Sequence, residues 1–243
     1  MVFSRPVTDL ETAPVAAPLP DGPHDVEFFL DPGCPFAWQT SRWLLRVAAL
    51  RDLSIGWRFI SLKVINEAKD PNTLPPQYKE HAMLGHRILR IAAAVRDKVG
   101  NDGVERLYTA WGERIWNTER NGRDYRELRA ELTTDVDFGA LLESADLPAE
   151  LAEAAEDEAY DDVLSVESAV AFDRAGNDLG TPIITYGEGG PTYFGPVISS
   201  VPADDDDVVR LYDAIRTLGD LGGTFSELKR TKRPPLDLPI LNG

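Results

Sequence analysis

The sequence predicts an α/β fold in which a β-α-β unit, a block of helices and a β-β-α unit follow one another along 243 residues. Three observations predict it. Apolar runs of strand length flank a helix-like run between residues 25 and 62, helical periodicity fills residues 76–176, and short β-rich runs return after residue 181. A chain of this length accommodates one large domain with an inserted subdomain.

The first unit begins with "DVEFFL", residues 25–30, whose apolar density is that of a buried strand. A "DPG" turn follows, and Pro35 suits the first turn of a helix because its missing N–H would have no partner there. Apolar residues then recur at helical spacing as far as Leu50. In residues 53–62 apolar side chains alternate with Arg58 and other polar ones, which predicts a second strand and a right-handed crossover between parallel strands.

The rest of the chain completes this pattern. Residues 63–75 contain Asn, Asp and Pro and are predicted to form a connection. Several segments between residues 76 and 176 place apolar side chains on one helical face, and residues 181–196 predict a hairpin that turns at "GEGG". "DDDDVVRLYDAIRTLG" predicts a last helix, whose aspartates favour its positive N-terminal end. This order is that of a thioredoxin-like core with helices inserted between its two halves.

The predicted domain organisation follows from this order. Residues 1–23, rich in Pro and Ala, are expected to form a flexible leader without regular structure. The thioredoxin-like domain is predicted to comprise residues 24–66 and 177–232. Residues 67–176 are the predicted helical insertion, and residues 233–243 are the predicted C-terminal tail.

Composition and charge narrow the function classes. With 41 acidic and 25 basic residues the net charge is −16, which disfavours nucleic acid and anionic membranes as partners because both require a basic surface. No apolar stretch is long enough to span a bilayer, and residues 1–23 lack the apolar centre of a secretory signal, so we expect a cytoplasmic protein. A single cysteine excludes an internal disulfide and a zinc site built on several thiolates, and we expect no metal.

The single cysteine, Cys34, stands where a reactive thiolate is expected. It lies between a predicted strand and a predicted helix and is followed by Pro35. The unpaired N–H groups and the dipole of a helix N-terminus stabilise a thiolate, which lowers the pKa of the thiol and makes it a nucleophile. The alternative is a buried, inert cysteine that packs as a small apolar side chain.

Other residues are candidates for contact with a substrate or a thiol cofactor. Thr181-Pro182 precedes a predicted strand, so its peptide bond is a candidate for the cis form, although a proline that simply starts the strand has the same sequence. Phe36 and Trp38 flank the cysteine turn, and Trp111 falls in the helical block. Helical spacing of aromatic residues is also typical of core packing, so both interpretations stay open for the two tryptophans.

Three segments carry a resemblance to a known family. "DPGCPFAWQTSRWLL", "GTPIITYGEGGPTYFGPVIS" and "ELKRTKRPP" resemble the actinobacterial mycothiol-dependent reductases, a branch of the DsbA-like thioredoxin-fold proteins that includes nitroreductases. The resemblance implies that Cys34 is the nucleophile, that Pro182 is a cis-proline facing it and that Thr181 offers backbone groups to a bound thiol. It also implies that the helical insertion is a lid over the cysteine. Mycothiol or a similar small thiol would be the cofactor, and a disulfide or a small oxidised compound would be the substrate.

The chain departs from the family pattern at Ala37. The better-studied members have a Cys-Pro-x-Cys motif, and this chain has no second cysteine. An internal dithiol–disulfide cycle is therefore impossible. The expected cycle is monothiol: the thiolate of Cys34 attacks the oxidised substrate, and an external thiol releases the resulting mixed disulfide.

Two alternatives to this cycle stay open. A thiol transferase or isomerase of the kappa type would use Cys34 to orient a thiol cofactor without forming a disulfide. A non-catalytic relative would only bind thiol-containing molecules. The sequence also leaves both a monomer and a homodimer open.

Overall fold

The computed structural model describes residues 16–67, 76–176, 180–225 and 227–242. The first part contains strand β1 (Val26–Leu30), helix α1 (Pro35–Arg51), strand β2 (Ile55–Phe59) and helix α2 (Leu62–Glu67). The middle part contains α3 (Pro76–Val99), α4 (Asn101–Trp116), α5 (Tyr125–Thr133), α6 (Phe138–Ser144), 3-10 turns at Ala149–Glu156 and Glu158–Tyr160, and α7 (Asp161–Ala175). The last part contains β3 (Ile183–Tyr186), β4 (Thr192–Phe194), α8 (Asp205–Asp220) and a 3-10 turn at Gly222–Thr224.

The four strands form one mixed sheet in the order β2-β1-β3-β4. Strands β1 and β2 are parallel, as the predicted crossover requires, with Val26 opposite Ile55. Strand β3 runs antiparallel to β1 and to β4, so β3 and β4 make the predicted hairpin. The predicted thioredoxin-like fold with a helical insertion is thereby confirmed.

Helices cover both faces of the sheet. Successive side chains of a strand point to opposite faces, and in β1 Phe28 joins the core cluster that includes residues of α1 and α8. Its neighbour Phe29 joins a second cluster with Val170 and Ala171 of α7. Helix α7, which lies within the predicted insertion, therefore packs directly on the sheet.

Strand β2 carries a buried charge. All five residues of the strand are buried, including Arg58. Helix α7 covers the face of the sheet on which Arg58 lies and brings a carboxylate to it. The Arg58 guanidinium lies 2.7 Å from the carboxylate of Glu27 and 3.1 Å from that of Glu167 in α7.

Two predicted irregular segments also contain features that the sequence did not reveal. The predicted connection 63–75 overlaps helix α2, and residues 68–75 lie outside the described residues. Residues 16–23 of the predicted leader contain no helix or strand, yet Leu19 is buried. Residues 1–15 of that leader also lie outside the described residues.

The helical block shares its core with the sheet. The ring of Tyr108 in α4 lies 5.7 Å from that of Trp38 in α1 and 6.0 Å from that of Trp57 in β2. Gly112 allows this close approach, because a Cβ atom there would lie 2.1 Å from the Trp38 ring. The block is therefore anchored on the first turns of α1. In the part of the chain that the structure describes, no helix has both the length and the apolar character needed to cross a membrane.

Candidate active site

Cys34 is the N-cap residue of α1. Its backbone is extended, its N–H donates to the Asp31 carbonyl at 3.2 Å, and Pro35 follows as the first helical residue. The Ala37 N–H donates to Cys34 Sγ at 3.4 Å. The turn after β1 therefore places the sulfur against the free N–H groups of the helix, as the "DPGCP" segment predicted.

The Thr181-Pro182 segment lies on the other side of the sulfur. The Thr181–Pro182 peptide bond is cis, and the Cys34 thiol donates to the Thr181 carbonyl at 3.4 Å. Pro182 is buried, and its carbonyl accepts from the Gly195 N–H at 2.9 Å. A second cis bond, Gly195–Pro196, directly follows β4 at the same end of the hairpin and was not among the sequence predictions. The two halves of the core therefore meet at the cysteine.

A cavity of about 260 Å³ opens beside Cys34. It is bounded by the cysteine turn, by α2 and the start of α3, and by the Thr-Pro segment. Its lining residues are Gly33, Cys34, Pro35, Leu62, His81, Ala82, Gly180 and Thr181. Cys34 itself is only 8% exposed, so a reactant reaches the sulfur through this cavity. A wider depression of about 450 Å³ between α3 and α5 does not contain the cysteine.

Asp31 is a charged group close to the cysteine that was not among the predicted site residues. It is 1% exposed, and its carboxylate accepts from the Gly33 N–H at 2.7 Å and from the Leu62 N–H at 2.8 Å. Burial raises the pKa of this carboxyl to about 6, although the two N–H donors counteract the effect. The sequence signal that points to it is an acidic residue directly after a buried strand, three residues before the cysteine.

The lowered pKa that the sequence predicted for Cys34 is wrong for this conformation. Burial raises the pKa of the thiol to about 12, because a buried thiolate loses its hydration. The N–H groups of Ala37 and Phe36 lower the pKa, as expected of a helix N-terminus, but the effect of burial is larger. The charge of Asp31 raises the pKa further. Cys34 is therefore a neutral thiol, and it donates a hydrogen bond to the Thr181 carbonyl.

The predicted contact residues fall into two groups. Pro35 and Thr181 line the cavity with Cys34, and Phe36 is half-buried at its helix position beside them. Trp38 and Trp111 are each 1% exposed and do not line the cavity, so the core-packing interpretation holds for both. Both pack in the core next to the site. The Trp111 indole N–H donates to the Pro32 carbonyl in the cysteine turn at 3.0 Å.

Among the described residues, no group of three or more His, Cys, Asp or Glu side chains is arranged to hold a metal ion. His86 in α3 forms hydrogen bonds with Ser61 at 2.9 Å and with Asp161 at 2.9 Å, so it links α3 to the residue just before α2 and to the start of α7. These hydrogen bonds account for the burial of His86, and none of them involves the cysteine.

The fold and the cysteine geometry define a class of protein. A cysteine that caps the first helix of a thioredoxin-like core and bonds to a cis Thr-Pro segment is the arrangement of a thiol-dependent oxidoreductase. The model of the Rv2466c-like family, described as mycothiol-dependent nitroreductase Rv2466c, matches residues 33–230, and the chain belongs to this family. The uncharacterized protein Rv2286c of Mycobacterium tuberculosis is 29% identical over 212 residues, which is 86% of this chain and 83% of that protein. The predicted family and the predicted oxidoreductase activity are thereby confirmed.

Proposed function

We propose that the protein reduces disulfides or small nitro compounds at the expense of mycothiol, and that Cys34 carries the exchange as the single nucleophile. The observation that supports this most directly is the position of the sulfur, which lies between the Ala37 N–H and the Thr181 carbonyl at the wall of a cavity. The family description supplies mycothiol as the thiol substrate.

The disulfide reaction balances with one cysteine. Deprotonated Cys34 attacks one sulfur of the substrate, the substrate S–S bond breaks, and the other sulfur leaves as a thiolate that takes up a proton. The thiol of one mycothiol molecule displaces Cys34 from the mixed disulfide, and a second one reduces the disulfide so formed. Two electrons pass from two mycothiol thiols to the substrate, and mycothiol disulfide is the oxidised product.

The cavity fits one end of such a thiol. Its volume of about 260 Å³ is below the usual range for a whole drug-sized ligand, so it accommodates the cysteinyl end while the sugars extend outward. The Thr181 carbonyl accepts a hydrogen bond from the Cys34 thiol. Once Cys34 is deprotonated, the same carbonyl is free to accept from an incoming thiol or amide N–H. The N–H groups of Ala37 and Phe36 then stabilise the charge on the sulfur.

The raised pKa of Cys34 requires an activation step. The wall formed by Leu62, His81 and Ala82 belongs to α2 and to the first turns of α3, and we place the opening motion there. Opening admits water to the sulfur, which removes the largest cause of the raised pKa. The predicted lid function of the helical insertion therefore rests, in this proposal, on its first helix.

Intact-mass measurement with oxidised mycothiol tests the proposal. The wild-type protein is expected to gain one mycothiol unit and to lose it when reduced mycothiol is added, whereas Cys34→Ser gains none. Turnover is then followed as substrate loss with formation of mycothiol disulfide. The absence of an adduct after prolonged incubation, with the thiol still intact, would overturn the proposal.

A second candidate is favoured by the neutral state of Cys34. A thiol that donates a hydrogen bond, as Cys34 does to Thr181, is also able to donate to a bound thiolate and to orient it, as in the transferases of the kappa type. In that case the cysteine forms no disulfide. The variant Cys34→Ser keeps a hydroxyl donor, so retained activity in this variant supports the second candidate and loss of activity supports the first.

A further inference from the structure

Residues 229–233, "KRTKR", form a basic segment in a strongly acidic chain. Lys229, Arg230, Lys232 and Arg233 place four cations within five residues, whereas the whole chain has a net charge of −16. All four side chains are exposed. The segment belongs to the "ELKRTKRPP" motif, to which neither the fold nor the cysteine chemistry assigns a function.

The cations of the basic segment are not neutralised within the described residues. Elsewhere on the surface arginines pair with the abundant carboxylates, as Arg46 does with Asp205 at 2.6 Å and Arg51 with Asp213 at 2.6 Å. No carboxylate of the described residues lies within ion-pair distance of Lys229, Arg230, Lys232 or Arg233. Four adjacent unneutralised cations create a local positive potential on a protein whose overall charge repels anions.

One residue of the basic segment, Arg233, lies near the first turn of α1, which Cys34 caps. The Arg233 guanidinium is 5.7 Å from the centre of the Phe36 ring, and Phe36 is the second residue of α1, two positions after Cys34. At this distance the guanidinium is within cation–π range of the ring, and its N–H groups are free to donate to an anion.

The chain that follows is fixed in place. The Ser199 hydroxyl donates to the Pro234 carbonyl at 3.1 Å, and the Asp237 N–H donates to the Ser199 carbonyl at 2.7 Å. Further along, Leu238 and Ile240 are buried. The predicted C-terminal tail is therefore docked, and it holds Arg233 at the head of α1.

We propose that the basic segment binds a carboxylate or phosphate group of the oxidised small-molecule substrate while the reacting atom of that substrate reaches Cys34. This inference depends on the proposed function, because it assumes that Cys34 is reactive. Arg233 provides a paired, directional contact to the anion, and the other three cations attract it from solution. Mycothiol, a sugar-linked thiol without an acidic group other than the thiol, is not selected by this segment. The protein therefore uses charge to distinguish its oxidised substrate from its reductant.

Single-turnover reaction of Cys34 with two disulfide reagents tests the inference. Dithiobis(nitrobenzoate) carries carboxylates and dithiodipyridine carries none, and in both reactions Cys34 attacks the reagent S–S bond and releases a light-absorbing product, a coloured thiolate from the first and an ultraviolet-absorbing thiopyridone from the second. The change Arg233→Gln is expected to slow the anionic reagent about threefold, and replacement of all four cations by Gln about tenfold, since an exposed charge contributes a modest factor each. The rate with dithiodipyridine is expected to stay unchanged. Added salt is expected to slow only the anionic reagent with the wild type.

Lys98→Gln is the matched control. This exposed lysine stands sixteen residues beyond Ala82 in α3, about 24 Å along the helix axis from the cavity. It changes the net charge as Arg233→Gln does and is expected to leave both rates unchanged. An equal loss of rate with both reagents, or an unchanged rate with the anionic one, overturns the inference.

Failure of the proposed nucleophile is distinguishable from failure of this inference. If neither reagent modifies the wild-type Cys34, the proposed function is wrong, and calorimetric binding of unreactive nitrobenzoate then decides the inference. If nitrobenzoate binds to the wild type and this binding is lost when the four cations are replaced, the basic segment is an anion-binding site. Binding of a polyglutamate peptide through the basic segment, without binding of nitrobenzoate, would assign the segment to an acidic polypeptide partner and overturn the proposal.

Discussion

Asp31→Asn separates the charge of the buried carboxyl from its hydrogen bonds. The carboxylate is almost completely buried and joins the cysteine turn to α2 through the N–H groups of Gly33 and Leu62. Asparagine has nearly the same shape and no charge, but only one of its two terminal atoms is an acceptor. The variant therefore removes the cost of burying a charge and leaves one N–H group without its partner.

The magnitude follows from the raised pKa. The pKa of Asp31 rises from 3.8 to about 6, which corresponds to about 3 kcal/mol of differential stability. Because the folded protein binds this proton more tightly than the unfolded chain, the wild type loses this stability as the pH rises from about 4 through about 6. The asparagine variant loses about 1–3 kcal/mol at every pH through the unpaired N–H. It is expected to be less stable than the wild type near pH 4 and about equally stable or more stable above pH 7.

Urea unfolding across this pH range measures the effect. Fluorescence of the five tryptophans reports the transition, and the difference in free energy of unfolding between variant and wild type is expected to change by about 3 kcal/mol from pH 4 to pH 7.5. Asp173→Asn, on an exposed position of α7, is the control. A difference for Asp31→Asn that is independent of pH would refute the assignment of the buried charge.

The remaining predictions concern the cysteine and the packing around it. Asp31→Asn is expected to speed alkylation of Cys34 at a fixed pH near 8, since the carboxylate charge raises the pKa of the thiol; an equal rate in both proteins would contradict this. Gly112→Ala places a Cβ atom 2.1 Å from the Trp38 ring and is expected to lower the free energy of unfolding by about 1–3 kcal/mol, measured by urea unfolding. Glu167→Gln removes the buried carboxylate that Arg58 and Arg96 share, and among the described residues only Arg58 keeps a second one, that of Glu27; the change is expected to cost about 3–5 kcal/mol, whereas Arg51→Gln breaks an exposed pair and is expected to cost less than about 1 kcal/mol. A similar loss for these two variants would mean that burial does not set the strength of the pairs.

The elements that were predictable from the sequence are those with local signals. The buried run 25–30, the turn and Pro35 specify a strand, a loop and a helix start within a few residues, and Cys34 is the N-cap of that helix. The hairpin around "GEGG" is equally local, since β3 and β4 are separated by only a short turn. Periodicity and turn chemistry act over such distances, so the sequence pattern was sufficient.

The features that were not predictable depend on distant parts of the chain. The burial of Arg58 depends on Glu167, more than a hundred residues later, and the environment of Asp31 depends on the N–H of Leu62. The same holds for the pKa of Cys34. The helix N-terminus, which is local, lowers it, but the cavity wall from α3 and the Thr181 segment bury the sulfur and reverse the sign. A pattern along the chain does not reveal how much water reaches a side chain.

The reversed sign suits a site with one cysteine. A protein with a second cysteine resolves an unwanted mixed disulfide internally, whereas this chain has one cysteine and, in the proposed cycle, depends on an external thiol. A thiolate that was permanently exposed would react with any oxidised thiol it met. In the proposed cycle the buried thiol, protonated and bonded to the Thr181 carbonyl, stays unreactive until the cavity opens, because only the thiolate attacks a disulfide. In that proposed cycle the helix N-terminus stabilises the charge on the sulfur when a reactant occupies the cavity. Burial and the helix dipole would then act at different stages, and a site with one cysteine is compatible with a controlled nucleophile.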